Sequence, residues 1–483
     1  MAQRIVRANV AQPREVVTAM TALREKLSIS TDYPDVTVED VDASLLPDRR
    51  DIPFVTIDPP GASDLDQAMY LSREGDGYLV QYAISAVGLF VRPGSDLDRE
   101  VHARGVTLYG PDGSIPLHPR ELSAGSASLL EGEDRPAYLW YLHLDPDGGL
   151  RHSWVEFAQV RSRAQLTYEQ VQDAHDGGGT LPEQVPADLV ELLATIGRLR
   201  IEREIARGGV SLDLPEQLIE KTDVGYHLAF RAVTDVEEWN AQISLLTGMA
   251  AARLMKNANV GILRTLPPAR DKDLDRLRQV AAALDIPWQA DVDYPSFVRS
   301  LDSSRAAHAA FLNEAASLFR GASYLPLGAG ESADDVVSAH AAIASVYAHV
   351  TAPLRRLVDR YALEVCRCLC AQEPIPAWVT EALPDLPKTM TKANQRASAY
   401  ERGAINALEG LILAGREGEI FRGVVIDVSD GERPRGSVMV RDPAVEATIH
   451  GEDLPVGHDI RVRLVKVSPD GPEFEYVKGK HAR

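Results

Sequence analysis

A change of hydrophobic period near residue 168 constrains this chain more than any other feature. Before it, "GYLVQYAISAVGLFV" (77–91) is a long apolar stretch rich in β-branched and aromatic residues, the composition of buried strands. "AYLWYLHLDPDGGLRHSWVEFAQV" (137–160) reads as two strands joined by a hairpin across "DPDGG". After about Tyr168 helical spacing dominates, in "ADLVELLATIGRLRIEREIARGG", "AQISLLTGMAAARLMKNA", "DKDLDRLRQVAAALDI", "SRAAHAAFLNEAASLFRGA" and "APLRRLVDRYALEVCRCLCAQ". Strands followed by a run of helices predict an α+β domain, a mixed sheet wrapped by helices.

The 483 residues exceed one ordinary core, so smaller units are expected at the two ends. In front, "PREVVTAMTALREKL" (13–27) carries Val16, Met20, Leu23 and Leu27 at helical spacing, with Pro13 suited to a helix start. A second short helix is expected near "TVEDVDASL" (37–45), capped by Thr37. Two such helices make either a module of helix-turn-helix type or a helical arm packed on the main domain. At the other end, "EIFRGVVIDVS", "GSVMVRD", "VEATIH" and "HDIRVRLVKVS" alternate apolar and polar residues between turn signals, which predicts a five-stranded barrel of OB type. The division is therefore a front module at 1–48, a catalytic domain at 49–412 and a barrel at 415–483.

No apolar run reaches the length of a membrane span, and the start lacks the apolar core of a signal peptide. The three cysteines, in "CRCLC", fit neither a C-x-x-C zinc site nor a disulfide framework, so a reducing cytoplasm is expected. A net charge of −20 speaks against a general affinity for nucleic acid. It does not exclude a local one, because binding depends on where the basic groups lie.

The chemistry-bearing stretch is "TIDPPGASDLDQAMYL" (56–71), with Asp58, Asp64 and Asp66 crowded together. Close carboxylates repel unless a cation sits among them. Hard cations such as magnesium take one or two carboxylates plus substrate phosphates. A glycosidase pair, a D-x-D site of the sugar-transferase kind and a solvated acidic turn are the alternatives. An EF-hand is excluded, since the sixth loop position from Asp64 is Met69 and not glycine. Far along the chain, "YAHVTAPLRRLVDRYALEVC" has an apolar face of Leu354, Leu357, Val358, Tyr361, Val365 and Leu369. Thr351 and Pro353 mark an expected helix start. Arg355 and Arg356 would then occupy the first turn, where the helix dipole disfavours cations, a placement that suits a ligand anion. Exposed arginines with no ligand are the alternative.

These blocks, taken together and in order, resemble the ribonuclease II, or RNB, family. "TIDPPGASDLDQA" resembles the family's T-I-D to D-x-D-D-A signature. "QLTYEQVQ", "RGASYLP", "YAHVTAPLRRLVD" and "AYERGA" resemble its later blocks, and the resemblance covers roughly residues 50 to 410. The resemblance implies a processive, magnesium-dependent 3′→5′ exoribonuclease, able to take manganese in place of magnesium. It would act on single-stranded RNA as a cytoplasmic monomer, off the membrane. Asp58, Asp64 and Asp66 fall on three of the family's four active-site aspartates, and Gln67 stands where the fourth is usually found. Asp66, Asp64 and Arg355 would be catalytic, and Asp58, Asp64, Asp66 and Gln67 would face the metal. Tyr109, Tyr168, Arg355, Arg356 and Glu401 would contact RNA. The departures imply two other readings, a catalytically weakened RNA-binding protein, because Gln67 adds no charge, and a helix-turn-helix regulator built on the front module. Ala83 and Ala86, in "AISAVG", replace the histidine and aspartate usual in the family. The front also has too few residues for the cold-shock barrels of most bacterial members.

Overall fold

The computed structural model describes residues 7–8, 14–212, 216–222, 225–231, 233–303, 305–319, 321–328, 338–429, 434–468 and 471–478. The strand-patterned region does more than form a mixed sheet: it closes on itself. Phe54–Asp58, Gln67–Glu74, Gly77–Ser85, Asp134–Leu144 and Leu150–Thr167 make a closed barrel in that order. Neighbours are antiparallel except at the seam, where Phe54–Asp58 runs parallel to the last strand and Asp58 pairs with Thr167. The turn at "DPDGG" is set by Asp145, whose Oδ1 accepts from the backbone N–H groups of Asp147 and Gly149 at 3.0 and 2.6 Å. Val80, Tyr82, Ile84, Trp140 and Leu142 fill one core with the buried faces of the helices Leu189–Ala206, Asp235–Ala258 and Leu357–Ala371.

The helix-rich half also contains strands that its pattern hides: a hairpin of Glu216–Thr222 with Gly225–Arg231, and the antiparallel pair Gly261–Thr265 and Ser323–Leu327. The tail forms a second closed barrel from Ile420–Ser429, Arg435–Arg441, Ala444–His450, Asp459–Ser468 and Gly471–Tyr476. The fifth strand lies between the third and the fourth and is parallel to the third, the OB connection expected there.

The front differs from the helix-turn-helix expectation. A helix at Arg14–Lys26 is present, and Pro13 lies outside the described residues. The second helix is reduced to one tight turn, Ala43–Leu45, after an extended stretch. The reason is tertiary. The extended chain lies along the domain, with Glu39 N–H bonded to Phe90 O at 3.0 Å and Tyr33 Oη donating to Leu117 O at 2.9 Å. The first helix packs Val16 and Met20 against Ala404 and Leu408 of the long helix Leu386–Leu413 and against the OB barrel core. The module is the packed arm of the two readings. Met20 is fully buried. Met20→Ala is expected to cost about 2–5 kcal/mol, the usual range for truncating a buried methionine, read as a lower urea midpoint.

Candidate active site

The expected helix at "TAPLRR" starts late. The helix begins at Leu357, and Thr351–Arg356 form an irregular loop in front of it. Arg355 and Arg356 therefore precede the helix instead of lying in its first turn. The cause is that the loop's backbone is bonded to other parts of the fold. Asp66 Oδ1 accepts from Leu354 N–H at 2.8 Å. Asp359 Oδ1 accepts from Ala352 N–H at 2.8 Å. His118 Nδ1 lies 3.0 Å from Leu354 O, and since a carbonyl only accepts, that nitrogen carries the proton. Burial holds His118 down to about 4, which keeps the ring neutral in this role. Thr351 O accepts from Gln67 Nε2.

The three aspartates lie where the first barrel's strands end. Asp58 closes its strand, Asp64 and Asp66 lie in the connection that follows, and Gln67 opens the next strand. Arg355 Nε lies 3.5 Å from Asp66 Oδ2; the arginine side chain is 46% exposed and the aspartate 7%. Asp66 is thus occupied with holding the loop, whereas Arg355 keeps an open face for a ligand. Tyr109, on the hairpin Leu108–Ile115, directs its hydroxyl to Asp64 Oδ2 at a long 3.4 Å, and its ring is exposed.

Burial pushes Asp58 up to about 7, against the pull of Arg355 and with a contribution from Asp64. Asp64 is also raised by burial, and Asp66 stands well above the carboxylate range for the same reason, opposed by Arg355 and the Leu354 N–H. No hydrogen bond or ion pair reaches the Asp58 carboxylate among the described residues. Desolvated carboxylates without a cation are unfavourable, and hard oxygen donors suit a hard cation. The donor set fits magnesium in this sense. Among the described residues no three His, Cys, Asp or Glu side chains form a ready-made cage. An ion that takes one or two carboxylates plus substrate phosphates needs none.

The remaining expected residues divide. Arg356 is held by Asp359 through two hydrogen bonds of 2.9 and 2.8 Å, a pair whose carboxylate is fully buried. Gln67 is held at both ends: its Oε1 accepts from Tyr82 Oη at 2.7 Å while Nε2 binds Thr351 O. Tyr82 in turn shares a 2.9 Å bond with Ser244. Tyr168 opens the helix Tyr168–His175 and accepts from Asn240 Nδ2 at 3.2 Å. Glu401 is half-buried on the long helix, raised by burial, beside Tyr400. Ala83 and Ala86 are fully buried in apolar surroundings, so no polar partner is required there. Sequence reasoning missed Asp359, Tyr82 and Ser244. Only Asp359 carries a sequence signal, its i,i+3 spacing from Arg356.

The RNB domain family matches residues 47–369. The chain belongs to the RNB family. An RNase II-type exonuclease C-terminal S1 domain matches residues 419–475, the second barrel. Ribonuclease R of Aquifex aeolicus is 25% identical over 442 residues, 86% of this RNB chain and 61% of the relative. Ribonuclease R of Escherichia coli is 27% identical over 412 residues, 79% of this chain and 48% of the relative. The chain thus spans about half to three fifths of the length of these curated relatives. The structure of Mycoplasma genitalium RNase R in complex with ribose methylated single-stranded RNA has the same fold, with a TM-score of 0.85 at 18% identity, covering 96% of this chain and 78% of that one. Yeast Ssd1, described as a pseudonuclease, is similar at a TM-score of 0.69 and 14% identity, covering 92% of this chain and 57% of that one.

Two outcomes test this geometry. Gln67→Glu replaces the N–H donor facing Thr351 O by a second acceptor, so a loss of about 1–3 kcal/mol is expected, measured as a lower Tm in metal-free buffer. Asp58 supplies the second. Its folded value lies above the ordinary unfolded value of about 4, so its stabilising contribution is complete below about pH 4 and is lost as pH rises through about 7. Magnesium should offset the charged form. Millimolar Mg²⁺ is expected to raise Tm more at about pH 8 than at about pH 5. Equal shifts at the two pH values would remove Asp58 from the cation site.

Proposed function

We propose that this RNB chain is a processive, divalent-metal-dependent 3′→5′ exoribonuclease that hydrolyses single-stranded RNA to nucleoside 5′-monophosphates. A cytoplasmic monomer is part of this reading. The observation that carries it is the meeting of cation-seeking carboxylates, Asp58 and Asp64, with an open guanidinium, Arg355. A phosphodiester answers both, since its oxygens accept from a guanidinium and complete the shell of a hard cation. The naming of the A. aeolicus and E. coli relatives as Ribonuclease R supports the activity. The RNA-bound M. genitalium structure supports the choice of polymer.

Asp58 and Asp64, with Asp66 behind them, would hold magnesium or manganese, and the bound metal would supply Lewis-acid stabilisation of the phosphate charge. Arg355 presents N–H donors to the non-bridging oxygens as charge builds on them. Asp66 orients that guanidinium and takes the Leu354 N–H, so the donor is in place before substrate arrives. The exposed Tyr109 ring offers a stacking face for a terminal base without reading its identity. Water adds across the P–O3′ bond. The terminal nucleotide leaves as a 5′-monophosphate, and the shortened strand regains a 3′-hydroxyl. On the second barrel, exposed Arg422 and Arg461 face each other across paired strands with exposed Arg463 beside them, a place for backbone phosphates.

A catalytically weakened RNA-binding protein is the second reading, favoured by the neutral Gln67 held inside the protein. A 3′-tailed RNA incubated with the protein and magnesium separates the two. Stepwise release of mononucleotides is expected, with no release from a DNA tail of the same sequence, because the 2′-hydroxyl is the group that distinguishes the polymers. Asp66→Asn is expected to lower the rate by at least about 10²-fold, the usual effect of losing preorganised charge stabilisation, with RNA affinity within a few-fold. Bound but undigested RNA with the parent protein would decide for the second reading.

A further inference from the structure

The hairpin that carries Tyr109 is anchored at both ends, and one anchor comes from the front of the chain. At its base, Thr107 N–H bonds Arg355 O at 3.1 Å and Thr107 Oγ1 accepts from Leu117 N–H at 3.0 Å. At its tip, Asp112 forms an ion pair with Arg24 of the Arg14–Lys26 helix, with side chains only 5% and 14% exposed. Arg24 Nε and Nη2 also donate to Tyr400 Oη at 3.1 and 3.0 Å. Tyr400 is fully buried on the long helix, and its hydroxyl lies 2.6 Å from where a Cβ on Gly110 would stand. Alongside, Leu23 fills the space over Gly403, which fixes the arm's helix to the long helix.

We infer that Arg24 is a positioning residue: the front arm holds the Tyr109 hairpin against the aspartate loop and so sets how tightly the last nucleotide is gripped. This rests on the proposed exoribonuclease reading. The hairpin has three residues on each strand, too few to hold its own shape. The Tyr109 ring is 39% exposed and its hydroxyl reaches Asp64 only at 3.4 Å, so its position is inherited from the backbone. The tip's position is inherited in turn from the Arg24–Asp112–Tyr400 contacts. Removing Arg24 takes the ion pair from a carboxylate only 5% exposed, which favours a shift of the tip toward water. Arg355 and Asp66 are held at Leu354 and at the base of the hairpin, not at its tip, so the chemistry keeps its geometry while the stacking surface loses its own.

The test is a double-mutant cycle between Arg24→Ala and Tyr109→Ala, read as KM and kcat on a 3′-hydroxyl RNA oligonucleotide. Its affinity is also read with the metal chelated, so that binding is measured without hydrolysis. Arg24→Ala is expected to raise KM and Kd about tenfold with kcat within about twofold, a size typical of coupled residues in one network. The same change in a Tyr109→Ala background should have little further effect. Arg24→Lys should recover most of the loss, and Asp112→Asn should reproduce it if Arg24→Ala fails to fold. Additive effects of Arg24→Ala and Tyr109→Ala, or a fall in Tm with KM unmoved, overturn the inference and leave a structural staple. Binding without hydrolysis by the parent protein overturns the exoribonuclease reading while the cycle on Kd still decides Arg24. No binding by the parent overturns both.

Discussion

Only Arg355 and Arg356 N–H find a partner inside the loop Thr351–Leu357, at Ala352 O, and the organisation of the site follows from how the other backbone groups are bonded. Buried N–H and C=O groups must be paired. Here the partners are Asp66, Gln67, His118 and Asp359, drawn from the first barrel, the segment after the Tyr109 hairpin and the following helix. Leu357 N–H adds a bond to Gly105 O at 3.0 Å. Arg355 stands on this loop. Its guanidinium is therefore placed by four separate regions of the chain, of which Asp66 also faces it directly.

This arrangement gives the two ends of the acidic cluster different characters. Asp66 is consumed by the protein, because one oxygen takes a backbone N–H and the other faces Arg355. Asp58 has neither kind of partner, and its desolvation outweighs the pull of Arg355. A protein of net charge −20 can still meet an anionic polymer under these conditions, because the local sign at the cleft is set by what the carboxylates recruit and by Arg355.

Much of this could be read in the residues. The second barrel came from period-2 alternation and turn chemistry, the strands of the first from an apolar, β-branched stretch and a hairpin signal, and the spacing of Asp58, Asp64 and Asp66 marked the site. Closure of the first barrel could not be read, since the parallel pairing of Asp58 with Thr167 depends on residues far apart in sequence. The helix start at Leu357 was misjudged because local propensity at Thr351 and Pro353 yields to long-range backbone bonds. The second front helix failed for a similar reason, as bonds from Tyr33 and Glu39 to the domain hold the chain extended. Tyr82 and Ser244 were hidden because a strand tyrosine and a helix serine look alike whether they face a core or a glutamine.

The seam of the first barrel also orders events during synthesis. Asp58 leaves the ribosome before Thr167, and its strand has no parallel partner until Thr167 has emerged. Arg355 follows only after the long helical stretch, and Tyr400 later still. Non-local pairings of this kind form late, because the loop between them must be ordered first. The nascent chain therefore holds its aspartates apart from the arginine loop until residue 355 has emerged. A polypeptide growing beside a messenger RNA cannot assemble this cleft while that RNA is still needed for its own translation through residue 355.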